Sequence, residues 1–289
     1  MSGRLTSAER ALEPLLAAYR AAQREIVARI KGAVAAGELR TASGARLQLA
    51  AVLAVLDQLG AETDPEARRL VADAYREGAD RAAGQAASLG VNTEDLSAFH
   101  GVSFEAVRAL QDSVAGRLQD ARRTIGRQAA DVFQRAQRQA AVRALLGADG
   151  SPRTASRRMT EGLARQGRTG FVDRAGRRWA LDSYADMAVR TITREAAVQG
   201  AIARMASHGI TLARVSSHAS ACQLCAPWQG RLVSLDGTAG TTASGEDYIG
   251  LGDLPNGGPP MHPRCRHSLA PFAARVEGLQ RELAAAGRL

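Results

Sequence analysis

Cysteine is scarce in this chain, three residues in 289, and all three fall in two short runs that also hold two of its five histidines. The first run is Cys222-Gln223-Leu224-Cys225 and the second is His262-Pro263-Arg264-Cys265-Arg266-His267. A C-x2-C or H-x2-C spacing lets one tight turn present two donors to a single point, and thiolate and imidazole are the donors of a tetrahedral structural zinc site. The expected ligands are Cys222, Cys225, His262 and Cys265, with His267 as the alternative to His262 and His218 as a sixth candidate. Between the runs, Asp236 to Pro260 is rich in Gly, Pro, Thr and Ser. Such a stretch has little apolar surface with which to hold its ends together, so a metal would act as a clasp. Two plainer readings compete, small buried thiols or a disulfide. The H-x2-C-x-H run at the far end of a turn-rich loop favours the metal.

The same residues could form a cysteine nucleophile, Cys222 or Cys225, with His218 or His262 as base. A catalytic cysteine also needs a preorganised oxyanion site, which local spacing does not supply. The sequence has no G-x-S-x-G, no Walker loop and no H-E-x-x-H. Enough donors exist to close a zinc site rather than leave a place open for substrate. No enzymatic activity is expected.

The elements that must carry these residues are mostly helices. Hydrophobic content is 45% but aromatics are only 4%, which points to alanine-rich helices in close contact rather than aromatic-rich strands. Thr6 or Ser7 can cap a first helix with Leu12, Leu16, Tyr19, Ile26, Ile30 and Val34 on one face and Gly37 at its end. A second is expected from Ser43 to Leu59, packing through Leu47, Ala50, Ala51, Ala54 and Val55. Asp64-Pro65 should restart the chain as cap and first turn of a third, reaching about Leu89, with Gly78 and the alanines allowing close approach. After Gly90 comes a short helix begun by Thr93. From Ser103 to Leu146 a narrow stripe of Val107, Leu110, Val114, Leu118, Ala121, Ile125, Val132 and Ala136 predicts one long helix. Gly147 to Pro152 is the expected boundary between an elongated α-helical domain, 1–150, and a smaller module, 151–289. In the latter, Thr154 to Gln166 reads as a short basic helix and Gly170 to Leu181 as a β-hairpin. Tyr184 to Met205 forms the next helix, closed by Gly209, with Arg194 in its apolar stripe. Leu212 to Ser217 and Gly230 to Ser234 are strands on either side of the first cysteine run, and Phe272 to Ala285 is a last helix. The fold class is thus mainly α, with a small C-terminal α+β module of hairpin and zinc-knuckle strands.

No run approaches the roughly 18 consecutive apolar residues of a membrane span, and Met1 to Arg10 lacks the layout of a secretion signal. An intracellular protein with reduced cysteines is expected. The net charge is +9, carried by arginine, since Lys31 is the single lysine. From Arg117 to Arg178 fifteen arginines stand against five acids, a local net of +10. Such a segment suits polyphosphate, DNA, RNA or an acidic protein surface, and equally a solvated helix face. The candidate contacts are Arg117, Arg122, Arg123, Arg127, Arg135, Arg138, Arg153, Arg157, Arg158, Arg177 and Arg178.

Four pieces in order give the C-terminal half a resemblance to the minor head proteins of tailed bacteriophages, the phage Mu F-like and minor capsid protein 2 families. They are Phe171 to Trp179, Tyr184 to Thr191, Cys222 to Gly230, and Pro259 to His267. The resemblance covers about Ser151 to Pro271, and the N-terminal helices share only their helical, alanine-rich character. It implies a structural virion component, in a few copies, assembled in the host cytoplasm and lying inside the head near the portal vertex. Its implied partners are portal protein, major capsid or scaffold protein, and packaged double-stranded DNA, with no membrane. Some members carry toxin or enzyme domains after the second knuckle, and the stretch after His267 is too short for one. The competing readings are a nucleic-acid-binding zinc protein acting free in the cell and, behind it, a phage-head cysteine protease.

Overall fold

The computed structural model describes residues 7–91, 104–145, 170–172 and 177–272. Among these residues it contains four α-helices, α1 (Ser7–Ala35), α2 (Ala42–Ser88), α3 (Phe104–Leu145) and α4 (Leu181–Ser207). The strands are β1 (Gly170–Val172), β2 (Arg178–Ala180), β3 (Leu212–Val215), β4 (Leu232–Ser234), β5 (Gly240–Thr241), β6 (Asp247–Gly250) and β7 (Leu269–Phe272). The mainly helical reading with a small C-terminal sheet holds. The chain groups into two compact units, Met1–Arg68 with Val114–Ala188, and Arg69–Ser113 with Val189–Leu289. Several expectations lie outside the described residues: the Thr6 cap, the Thr93 helix, the Gly147 to Pro152 boundary, the Thr154 to Gln166 helix, the turn of the 170–181 hairpin and the helix after Phe272.

In the first unit, α1 buries Leu12, Leu15, Leu16, Tyr19 and Ile26, at the spacing that keeps one helical face inward. Gly37 ends it in the left-handed region, φ 74°, where glycine carries no steric penalty. Thr41 then caps α2, its Oγ1 accepting from the Gly44 N–H at 3.1 Å. Two expectations about α2 are corrected. Asp64-Pro65 does not restart the chain, because α2 runs through Pro65. An interior proline costs about 3 kcal/mol. Against that cost, Leu56, Leu59 and Ala67 are buried around it and Asp64 is fixed by an ion pair to α3. The buried stripe is also rotated from the expected one. Val52, Leu56 and Leu59 point inward while Leu47 is 69% exposed and Ala50 and Ala54 are exposed. A segment this rich in Ala and Leu offers two apolar faces, so periodicity alone does not choose between them. On α3, Val114, Leu118, Ala121 and Ile125 are buried as expected, joined by Phe133. β1 and β2 form the antiparallel hairpin, with Phe171 opposite Trp179.

In the second unit, the later part of α2 and of α4 cross at two glycines. A Cβ on Gly78 would stand 1.9 Å from the Ala197 carbonyl oxygen, and one on Gly200 would stand 2.0 Å from that of Tyr75. Backbone therefore lies on backbone, flanked by the buried Ala79, Ala82 and Ala196. Gly209, φ 68°, ends α4, with the Ile210 N–H closing on the Met205 carbonyl at 2.9 Å. The sheet has the order β5-β6-β4-β3-β7, antiparallel except for the parallel β4–β6 pair. β5, β6 and β7 are not evident in the sequence, and β5 and β6 correct the picture of 236–260 as a bare loop. Leu254 and Met261 are buried in one apolar cluster with Val198, Met205, Val215, Val233, Leu269 and the thiols Cys225 and Cys265, and Ile249 and Leu251 pack against it. The span between the two cysteine runs thus has its own hydrophobic anchorage.

Candidate metal centre

The two knuckles meet because of the sheet. β3 pairs with β4 on one side and β7 on the other. The first knuckle joins β3 to β4 and the second leads directly into β7. Each is a tight turn of the same kind. The Cys225 N–H donates to the Cys222 carbonyl at 3.0 Å, and the Cys265 N–H donates to the His262 carbonyl at 3.0 Å. Arg264 supports the second turn at φ 63°, its N–H reaching Thr191 Oγ1 of α4 at 3.4 Å. Ser216 ties the bases of the knuckles together: its N–H donates to the Ser268 carbonyl at 2.9 Å, and its Oγ accepts from the Ser268 N–H at 3.0 Å.

All five proposed donors gather here. Cys222, Cys225 and His262 form one set, and Cys225, Cys265 and His267 another, each with its donor atoms within 4.8 Å of one another. Cys222 Sγ lies 3.3 Å from His262 Nε2, Cys225 Sγ 3.9 Å from Cys265 Sγ, and Cys265 Sγ 3.6 Å from His267 Nδ1. Zinc bonds of about 2.3 Å to sulfur and about 2.0 Å to nitrogen give tetrahedral edges near 3.8 Å for S···S and near 3.5 Å for S···N. These three separations lie close to those edges, so the cluster can hold a metal ion, its donors falling into two sets of three that share Cys225 rather than one set of four. The cysteines are free thiols, not a disulfide. Their environments differ. Burial, reinforced by the neighbouring thiols, pushes Cys225 up to about 12. Cys222 is exposed, and hydrogen bonding at the turn, the Cys225 backbone first, lowers its pKa. Burial lowers His267, with the other two histidines adding to the effect, and neutral imidazole is the ligating form. His218, the sixth candidate, is in neither set. Its Nε2 is 3.2 Å from Ser216 Oγ and 3.0 Å from the Arg266 carbonyl, and its ring packs edge-on against His267.

The arginines divide. Arg117, Arg123, Arg127, Arg135 and Arg138 are exposed on α3. At 3.6 residues per turn they occupy the sector opposite the buried stripe, with Asp120 and Asp131 among them. Arg177 is exposed and its guanidinium lies over the Trp179 ring. Arg178 is in β2. Arg153, Arg157 and Arg158 lie outside the described residues. Arg122 is corrected: it is 7% exposed, held to both carboxylate oxygens of Asp64 at 2.8 and 2.6 Å and to Tyr19 Oη at 3.0 Å. An arginine so engaged is an internal strut, not a contact residue. Sequence reasoning missed it because its partners lie 58 and 103 residues away. The cavity beside it, about 480 Å³ and lined by Leu56, Asp64, Gln119 and Arg123 among others, contains no thiol or imidazole.

Comparison with known proteins now decides the family. The profile described as phage minor capsid protein 2 matches residues 10–285. The chain belongs to the phage minor capsid protein 2 family. The match takes in α1 and α2, so the family relation extends well beyond the 151–271 stretch whose motifs first suggested it. No curated protein and no solved structure matches the chain. This minor capsid protein is accordingly a component of the phage virion with a structural role in the head. No helix among the described residues is long and apolar enough to cross a membrane.

Proposed function

We propose that this minor capsid protein lies inside the head near the portal vertex, in multiple copies, and acts in head assembly or in genome packaging and ejection. Its partners in this reading are portal protein, packaged double-stranded DNA bound without regard to sequence, and major capsid or scaffold protein as neighbours. The observation that carries it is the arginine sector of α3 in a chain whose family match spans nearly its whole length. Five exposed guanidiniums along one helical face suit a phosphate backbone or an acidic portal surface. The ion in the thiol–imidazole cluster is zinc, and it is structural: it fastens the two knuckles while the α3 face makes the contact. No catalytic role is assigned.

The test has two arms. Purified particles should contain the protein, and its density should fall at the portal vertex. Purified protein should bind duplex DNA with an affinity that falls steeply with salt, and neutralising Arg117, Arg123, Arg127, Arg135 and Arg138 to Gln should flatten that slope. Absence from particles, with sequence-selective binding of nucleic acid, overturns the virion placement in favour of a zinc protein acting free in the cell.

A further inference from the structure

The cluster offers one donor more than a tetrahedral ion accepts, and its donors are not equivalent. The two sets share the Cys225 sulfur. On the outer side Cys222 is exposed and His262 half-buried, whereas on the inner side Cys265 and His267 are both 3% exposed. The imidazoles also present different atoms. His262 turns Nε2 toward Cys222, and its Nδ1 is 2.8 Å from the Pro263 carbonyl. A proton on Nδ1 given to that carbonyl leaves the Nε2 lone pair free, which is the outer-shell arrangement ligating histidines keep. His267 turns Nδ1 toward Cys265, and its Nε2 is buried without a hydrogen-bond partner. Each histidine thus lacks what the other has. His262 has its outer-shell acceptor but stands open to water. His267 is sealed from water but leaves a nitrogen unsatisfied, which burial penalises.

We propose that one thiophilic ion draws the three sulfurs together around Cys225, the donor shared by the two sets, and that its fourth place is exchanged between His262 through Nε2 and His267 through Nδ1. The inference rests on the zinc reading above. With His262 bound the nitrogen ligand is half-buried; with His267 bound it is buried. Exchange makes and breaks one metal–nitrogen bond and requires no oxidant or co-reactant.

The decisive experiment uses the full chain, reduced and ¹⁵N-labelled, titrated with Zn²⁺ and followed by the ring-nitrogen resonances of its histidines. One equivalent should bind, His262 should take on the Nε2-bound pattern, and His267 the Nδ1-bound pattern. A response from only one of the two overturns the exchange, as does binding of two equivalents, which would make Cys225 a bridge between ions. Co²⁺ gives an independent readout. His262→Ala and His267→Gln should each keep one equivalent and the thiolate-to-metal absorption, while the double variant should lose more than the roughly 10–100-fold that an outer-shell deletion costs. A single variant as weak as the double, beside another that matches the unmodified chain, fixes one ligand and overturns the proposal. If the unmodified chain binds no Zn²⁺ under reducing conditions, the zinc reading itself falls.

Discussion

Two places in this protein join residues far apart in the chain, and they do so by opposite means. In the first unit Arg122, Asp64 and Tyr19 meet as complements: a guanidinium fork on a carboxylate, with the phenol taking a further N–H. Burial raises the Tyr19 pKa while Arg122 opposes the shift, so the phenol keeps its proton at neutral pH. In the second unit the cluster gathers like with like, three thiols and two imidazoles, all of them electron-pair donors. The bare protein tolerates this because Cys225 stays protonated and His267 neutral. The strut is therefore complete without help, whereas the knuckles gather a donor set that could hold a metal ion.

Removing the ion should separate the two places most sharply. A structural metal at a thousandfold excess over its Kd contributes about 4 kcal/mol. Chelation, or Cys225→Ser, should therefore lower the melting temperature of the second unit by roughly 10 °C, with the first unit unaffected in hydrogen exchange. Because the sheet has its own apolar cluster, unfolding at room temperature is not expected, in contrast to a classical zinc finger. Full unfolding on chelation would mean the cluster carries less than its burial indicates. Arg122→Ala should come next, destabilising the first unit by about 3 kcal/mol because it leaves Asp64 half-enclosed and unpaired. Metal stoichiometry should stay unchanged, and loss of metal in this variant would break the separation. Gly78→Ala acts on the second unit without touching a donor. Its Cβ meets backbone, so about 1–3 kcal/mol is expected, again with stoichiometry kept.

The smallest effect concerns acid. Glu246 has its pKa lowered by hydrogen bonds from Arg214, at 2.6 and 2.8 Å. A depressed carboxylate contributes stability above the usual glutamate range, and that contribution is lost as pH falls through its folded value. Glu246→Gln should thus shave a little stability at neutral pH and flatten the acid limb of the melting profile. An acid limb unchanged in the variant would show the pair to be solvent-screened.

The parts of this molecule legible in the sequence are those whose signal is local. The Cys and His runs declare themselves through spacing, the helix ends through Gly37, Gly90 and Gly209, and the α3 stripe through its period. What escaped depends on distance or on competition. Asp64 and Arg122 carry no mark of their pairing until the helices are laid together. Pro65 looked like a start signal because a proline's local cost is visible while the packing that offsets it is not. β5, β6 and β7 are two to four residues long, the first two in a stretch rich in Gly and Pro, too short for alternation to register. The composition between the two runs suggests a loop unable to close itself, yet Leu254 and Met261 are buried in the apolar cluster.

The strand order also sets a timetable. β3 has Leu212 paired with Phe272, sixty residues onward, so the centre of the sheet stays half-edged until β7 has been synthesised. The first knuckle leaves the ribosome well before its partner, with Cys222 exposed and Cys225 not yet enclosed. Non-local pairings of this kind form late and slowly. During that interval the nascent chain presents an open β3 edge and two uncovered thiols, and docking of the second knuckle with β7 covers that edge and encloses Cys225 while Cys222 stays exposed.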